Sequence, residues 1–332
     1  MQSSSVKLKG ILLLAMLAWT VLAAPSLMAD EDAPTEEPEA LKQPIATSRF
    51  HFLFQSEFAS GYTTPRGMIV RNHGLTVQPL LLTFFDLYRG EGFISNVTAV
   101  AGVWNDLGTS GVSKQPPFGS HPKTSWTEID PMGGVSIGFA RRFNLDITYV
   151  AFVEQILDIK TAHNLETKLR FDDSDFLGVF ALHPQVLYWQ ELANKTTDAD
   201  VPYEVLGPSP KSGANPHPGQ GFYFELGVTP SYTFKQLADI KLEAPSRLLL
   251  PNSKFYGEYY GDSSTVGLFE LGLKASLPLT FMPKDFGSWG SYAGLKYQYY
   301  NDKNLYNLNT FNAPGEPTRD NLVFYSGFSV FL

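Results

Sequence analysis

Six histidines are the side chains of this sequence best suited to acid–base chemistry near neutral pH: His51, His73, His121, His163, His183 and His217. Hydrolytic enzymes place a histidine beside a nucleophile, as in a strand-to-helix nucleophile elbow or a His-x-Ser pair. None of the six has such a neighbour in the sequence. His163 precedes Asn164, whose carboxamide is able to orient an imidazole, but no nucleophile accompanies the pair. The sequence therefore predicts no catalytic residue and no enzyme.

The sequence also lacks the residue patterns of metal sites and of thiol chemistry. The run DDSD contains Asp172, Asp173 and Asp175, but it lacks the spaced ligands of a calcium-binding loop and is typical of a hydrated turn. Cysteine is absent, which excludes disulfides, thiol catalysis and a lipid anchor attached through cysteine. We therefore expect no metal site and no cofactor.

The stretch GFYFELGVTPSYTF, residues 221–234, shows what the chain offers instead. A large apolar residue or proline occupies every second position from Phe222 to Phe234, and small or polar residues occupy most positions between them. Side chains alternate faces along a β-strand, so this segment predicts a ribbon with one apolar face. Ordinary strands have about 5–6 residues, and this alternation continues for roughly twice that length. The length is typical of a strand that crosses a membrane.

Similar alternation recurs in about twelve segments, with no helical periodicity of comparable strength. They cover residues 49–58, 73–85, 93–104, 126–139, 144–153, 164–172, 179–190, 221–234, 239–244, 266–278, 290–300 and 321–332. The connections between them alternate between long and short, as in outer-membrane barrels. In hydrocarbon a sheet must close so that no backbone edge stays unpaired. The predicted fold is all-β, a closed up-and-down antiparallel transmembrane barrel over residues 49–332.

The N-terminal region predicts export. Two lysines precede an apolar run from Ile11 to Ala24 and a small-residue exit, so residues 1–29 are predicted to be a signal peptide. Residues 30–48 are acidic and rich in proline, which predicts a disordered leader. The net charge of −8 argues against a nucleic-acid partner. We expect the bacterial outer membrane as the location and its lipids as partners.

The closing residues LVFYSGFSVFL alternate up to the last position, Leu332. In this the chain resembles Gram-negative outer-membrane β-barrels, which commonly end on such a strand. The resemblance implies recognition by the barrel-assembly machinery.

A narrower resemblance covers the region from Ser56 to Leu107. Its turn and third strand are similar to porins of the TorF type, and the matching positions are Ser60, Tyr62, Arg66, Gly67, Gly102 and Trp104. This resemblance implies a porin-like role at the same location. More distantly, a barrel of about twelve strands with aromatic side chains in its lumen is similar to nucleoside-specific channels.

The alternation also assigns side chains to the lumen, because charges are costly on the lipid face. The residues predicted to line the lumen are Glu57, Trp104, Glu128, Asp130, Asp146, Glu166, Lys168, Arg170, Tyr223, Glu225, Lys241, Glu243, Glu270, Lys274 and Lys296. Acids outnumber bases in this set. Two interpretations stay open: a weakly acidic, water-filled pore, or a ladder of ion pairs that fills a narrow barrel.

These patterns together predict an outer-membrane porin that passes small polar solutes with a weak preference for cations, as a monomer or a homo-oligomer. Two alternatives belong to other classes: an outer-membrane barrel enzyme acting on lipid, and a soluble secreted β-sandwich that binds glycans. The long tract of residues 194–219 is predicted to be an exposed outer loop, or a loop folded inward as a constriction.

Overall fold

The computed structural model describes residues 48–71, 74–109, 126–155, 161–193, 221–253, 255–256, 264–312 and 319–332. The predictions for the signal peptide, for the leader before Ser48 and for the tract at 194–219 fall outside these residues. Most of the described chain is in β-strands.

The described residues contain sixteen strand segments. They are β1 (Phe50–Ala59), β2 (Tyr62–Thr63), β3 (Ile69–Arg71), β4 (Thr76–Arg89), β5 (Ile94–Gly108), β6 (Trp126–Phe139), β7 (Phe143–Glu154), β8 (Ala162–Phe171), β9 (Gln185–Ala193), β10 (Phe222–Val228), β11 (Ser231–Phe234), β12 (Ile240–Glu243), β13 (Ser246–Pro251), β14 (Leu268–Pro278), β15 (Ser288–Tyr300) and β16 (Asp320–Phe331).

All but β2 and β3 belong to one antiparallel sheet that closes on itself. The first strand, β1, pairs with both β4 and the last strand, β16. Two wall strands are interrupted: Pro230 separates β10 from β11, and Pro245 separates β12 from β13, because proline has no N–H to donate to the ladder. With each interrupted strand counted once, the barrel has twelve strands, and the predicted fold class is confirmed.

The strand directions place connections of different length at the two ends of the barrel. The strand ends that face the long-loop end border the sequence connections 60–75, 109–125, 155–161, 194–221, 252–267 and 301–319. Those at the short-turn end border 90–93, 140–142, 172–184, 235–239 and 279–287. Several predicted strand bounds shift by a few residues, and two differ more. Residues 179–184 are not strand, and the strand predicted to end at 244 resumes as β13.

Exposure alternates along the wall strands. In β10, Tyr223 and Glu225 are buried, whereas Phe224 and Leu226 on the opposite face are exposed. The outer surface is therefore apolar, and polar side chains point into the barrel. Such an inverted distribution suits a protein surrounded by lipid.

The described helices are short. They are α1 (Ser174–Leu177), α2 (Lys303–Asn312) and two single 3-10 turns, Gly178–Phe180 and Lys284–Phe286. Among the described residues, no helix is both long and apolar enough to span a membrane.

The connection between β8 and β9 is held by carboxylates. Asp173 accepts hydrogen bonds from the backbone N–H groups of Leu182 (3.0 Å) and His183 (2.9 Å), and Asp172 accepts one from the N–H of Ser174 at 3.0 Å. Removal from water acts to raise the pKa of Asp173, but these N–H groups outweigh it and the pKa is lowered. The turn is therefore fully stabilised above the ordinary aspartate pKa and loses this stabilisation as the pH falls through the lowered value.

We predict that Asp173→Asn speeds hydrogen exchange of the Leu182 and His183 amides at neutral pH. The amide side chain has only one acceptor oxygen in place of a charged carboxylate, so the hydrogen bonds weaken. Protection factors measured across pH test this: those of the wild type should fall toward those of the variant only below the ordinary aspartate pKa of about 3.9. Equal protection at neutral pH would contradict this role of Asp173.

Candidate functional site

The long-loop end of the barrel is occupied by the connection between β1 and β4. Residues 60–71, called the inner loop here, fold back into the barrel, and β2 and β3 pair within them as a small hairpin. Tyr62, Thr63, Arg66, Ile69 and Arg71 of this loop are all at most 6% exposed. Sequence analysis places this segment between two predicted strands and assigns it no inward course, so its position inside the barrel comes from the structure alone.

One side of the inner loop contacts β5 and β6. The Tyr62 hydroxyl donates a hydrogen bond to Glu128 at 2.8 Å, and the Tyr62 ring lies 5.1 Å from the ring of Trp104. Tyr62 is only 4% exposed, so its ring is enclosed inside the barrel. Asp130 follows Glu128 on the same face of β6 and is paired across the ladder with Trp104.

The turn of the inner loop is held by the other long connections. Gly67 has φ +91°, and a Cβ there would lie 3.1 Å from a methyl carbon of Leu305 in α2, so glycine is required. Asn309 of α2 accepts a hydrogen bond from the N–H of Ile69 at 2.9 Å and donates one to the Gly67 carbonyl at 3.1 Å. The Tyr256 hydroxyl donates to the Arg66 carbonyl at 2.5 Å. These contacts fix the loop across the barrel opening.

Two arginines of the inner loop contact side chains of the barrel wall. The guanidinium carbon of Arg66 lies 4.2 Å from the centre of the Phe152 ring, a cation–π contact. Arg71 donates to Thr127 at 2.6 Å and forms an ion pair with Asp106 at 3.5 Å, with both charged side chains fully buried. A loop anchored by buried charges has a defined position in the barrel.

Arg247 of β13 is the centre of a charged cluster beside the inner loop. Its guanidinium donates two hydrogen bonds to Glu270 (3.0 and 3.1 Å), one to Glu225 (2.8 Å) and one to the carbonyl of Pro65 (2.9 Å). Gln298 donates to the same Glu270 carboxylate at 2.6 Å. The cluster thus joins four wall strands, β10, β13, β14 and β15, to the inner loop.

A cavity of about 510 Å³ lies between the inner loop and the wall. Tyr62, Thr63 and Pro65 close it on the loop side. The wall contributes aromatic and aliphatic side chains together with a few polar ones: Gln78, Leu80, Leu82, Val100, Trp104, Asp130, Met132, Thr148, Val150, Phe152, Glu166, Trp189, Arg247 and Lys296. Its size and mixed lining are those of a site for a small molecule.

The remaining predicted lumen residues form ion pairs and hydrogen bonds outside this cavity, except that Lys168 pairs with Glu166 of its lining. The pairs are Arg170–Asp146 (2.8 Å), Lys168–Glu166 (3.1 Å), Lys241–Glu243 (2.8 Å) and Lys274–Glu243 (3.5 Å). Glu57 accepts a hydrogen bond from Tyr292 at 3.3 Å. This part of the barrel has the ladder that the sequence analysis left open as one interpretation.

The structure therefore divides the predicted set. Trp104, Asp130, Glu166 and Lys296 line the cavity, and Glu128, Tyr223, Glu225 and Glu270 lie buried or half-buried behind it. Their role in lining a permeation path stays a prediction. Sequence analysis named Arg66 only as a position of the TorF resemblance, and it missed Arg71 and Arg247. The apolar runs MIV before Arg71 and LLL after Arg247 were the available signals.

No described histidine is arranged for hydrolysis. His51 lies 3.7 Å from Asp86, His163 is hydrogen-bonded to the Tyr149 hydroxyl, and His183 lies 3.6 Å from Asp172. Ligand atoms of Asp172, Asp173 and His183 lie within 4.8 Å of one another, but both carboxylates already accept hydrogen bonds in the turn. The expectations of no catalytic residue and no metal site stay predictions.

No protein-family model and no curated protein sequence matches the chain. Solved structures similar to it include outer membrane phospholipase A from Escherichia coli, at 13% identity and TM-score 0.38 over 85% of this chain and 92% of that one. The transport unit of the autotransporter AIDA-I from Escherichia coli matches at 9% identity and TM-score 0.37 over 95% and 96%. OpdL from Pseudomonas aeruginosa matches at 10% identity and TM-score 0.32 over 87% and 99%. Likeness at this level does not extend to activity.

Proposed function

We propose that this protein is an outer-membrane channel for the passive passage of small polar solutes, narrowed by the inner loop. The observation that carries the proposal is the cavity of about 510 Å³ inside a closed barrel whose outer face is apolar. An apolar outer face requires lipid around the barrel, and an interior lined by polar and charged groups suits water and solutes.

The inner loop supplies the selectivity of such a channel. It crosses the long-loop end of the barrel, where Tyr62, Thr63 and Pro65 form one side of the cavity. A solute that crosses the barrel must pass this loop, either beside it or after it moves. Identification with porins of the TorF type is part of the same proposal, since the matching residues Tyr62 and Trp104 are in contact.

The alternative of a barrel enzyme acting on lipid has less support. Such an enzyme needs a nucleophile next to its base at the lipid-facing surface. Among the described residues, His163 contacts the Tyr149 hydroxyl, and its cross-strand neighbours are Ala151 and Ala193. Neither alanine offers a nucleophile. A soluble glycan-binding sandwich is excluded as an alternative by the closed sheet.

Planar-bilayer recording under a salt gradient tests the channel. We expect a reversal potential that favours cations only weakly. Arg66, Arg71 and Arg247 add three bases to the predicted set and Asp106 beside Arg71 adds one acid, so only a small acidic excess remains. The preference should shrink as the Debye length falls from about 10 Å at 0.1 M salt to about 3 Å at 1 M. Absence of conductance, or a preference for anions, would contradict the proposal.

Glu166→Gln is the variant that locates the selectivity. Glu166 lines the cavity, so its loss should move the reversal potential toward zero. Asp175→Asn is the matched control, because Asp175 lies in the turn at the other end and its side chain is 73% exposed. Equal shifts in the two variants would mean that the cavity does not set the preference.

A further inference from the structure

Three polar groups that line the cavity have hydrogen-bonding capacity that the described residues do not use. The Asp130 carboxyl group contacts Glu128 and the backbone of Val153, but its Oδ1 atom is buried without a hydrogen-bond partner in the described part of the chain. The indole N–H of Trp189 is likewise buried without one. Lys296 interacts at longer range with Glu57 and Glu270 but forms no ion pair within 4.0 Å of a described residue. Burial of an unsatisfied polar group destabilises the folded state, and burial of an unsatisfied charged group does so more strongly. Such groups in a cavity mark the positions where a solute binds.

The topology of the barrel separates the acid from the base. Asp130 is on β6, and β14 is the strand directly opposite β6 in the ring of twelve. Lys296 is on β15, which flanks β14. Asp130 and Lys296 nevertheless line one cavity, so the cavity reaches from the wall that carries Asp130 to the wall that carries Lys296.

Aromatic rings form the cavity surface between these walls. The Trp189 ring stacks on Tyr223 with centroids 5.8 Å apart and 8° between the planes, and Phe152 lies 5.7 Å from Trp189 on the other side. Trp104 lines the cavity next to Asp130. Ring faces of this kind pack against flat apolar groups.

We propose that the cavity is a binding site for a small amphoteric solute with a flat apolar body, an ammonium group at one end and a carboxylate at the other. The ammonium group binds Asp130, the body packs against Trp104 and Trp189, and the carboxylate accepts from Lys296 and the indole N–H of Trp189. This inference rests on the proposed channel function and names the class of solute that the channel selects.

Calorimetric titration of the folded protein in detergent micelles tests the inference without requiring conduction. The probes are 4-(aminomethyl)benzoate, which has both charges, and benzylamine and 4-methylbenzoate, which each lack one. We expect the amphoteric probe to bind about tenfold or more tightly than either analogue, since a hydrogen bond to a charged group contributes about 1.5–3 kcal/mol. Equal affinities, or no binding of any probe up to its solubility limit, would overturn the inference.

Paired variants assign the two ends. Asp130→Asn should lower the affinity for the amphoteric probe and for benzylamine about tenfold and leave the affinity for 4-methylbenzoate unchanged. Lys296→Gln should do the reverse, and Lys274→Gln, which changes a lysine outside the cavity, should change none of the three. A uniform loss for all probes, or none, would refute the assignment. If the amphoteric probe binds but bilayers show no conductance, the channel proposal fails and the binding site stands. If bilayers show conductance but the amphoteric probe does not bind, the binding site is rejected and the channel proposal stands.

Discussion

Replacement of residues 61–71 by a short Gly-Ser linker should raise the single-channel conductance several-fold. The inner loop occupies the long-loop end of the barrel, and its side chains at Tyr62, Arg66 and Arg71 are almost completely buried there. A linker too short to fold inward leaves this cross-section to water and ions, and conductance follows the open cross-section. Recordings in planar bilayers at fixed salt measure the change directly.

A control replacement at the other end of the barrel shows whether the effect belongs to the inner loop. Residues 235–239 form a turn at the opposite end and are mostly exposed, so a Gly-Ser replacement there should leave conductance unchanged. Gly67→Val is a point variant with the same aim, because its side chain would be strained at φ +91° and press on Leu305. Heat-modifiable migration in SDS shows that each variant has folded. Unchanged conductance in the folded linker variant would mean that ions already pass freely beside the loop.

The barrel wall could be predicted from the sequence because its signal is local. Alternation in segments such as 126–139 assigns each side chain to one face, and β6 has these same bounds. The interruption at Pro230 follows from a single missing N–H. The failure at β13 has the same origin: Ala244 and Pro245 ended the alternation, so the strand that carries Arg247 was assigned to a loop.

The inner loop could not be predicted in this way. Its position depends on partners far along the chain, such as Asn309 and Tyr256, whose hydrogen bonds reach the Gly67 and Arg66 carbonyls. Neither spacing nor hydropathy encodes such contacts. A tyrosine near a strand end is typical of the membrane interface. Only the inward course of the loop brings the Tyr62 hydroxyl to Glu128. The resemblance at Tyr62, Arg66 and Gly67 marked the segment without its conformation.

Arg247→Met should lower the free energy of unfolding by about 3–5 kcal/mol, because it leaves two carboxylates without their cation. The Arg247 side chain is only 17% exposed, and Glu225 and Glu270 are 6% and 16% exposed. Arg170→Met is the matched control. Arg170 forms an ion pair of 2.8 Å with Asp146, but its side chain is 51% exposed, so the loss should be about 0–1 kcal/mol. Urea unfolding in detergent micelles, followed by tryptophan fluorescence, compares the two.

The cause of the lost stability is tested by also removing the two carboxylates that Arg247→Met leaves unpaired. If unpaired carboxylates cause it, the triple variant Arg247→Met, Glu225→Gln, Glu270→Gln should recover much of the stability, since neutral amides bury at lower cost than carboxylates. If lost packing and hydrogen bonds cause it, the triple variant should be no more stable than the single one. Arg247→Lys keeps a charge but not the bidentate contact with Glu270, so its loss should be intermediate. A loss at Arg247 no larger than that at Arg170 would show that water reaches this cluster, which would place the cluster itself on the solute path.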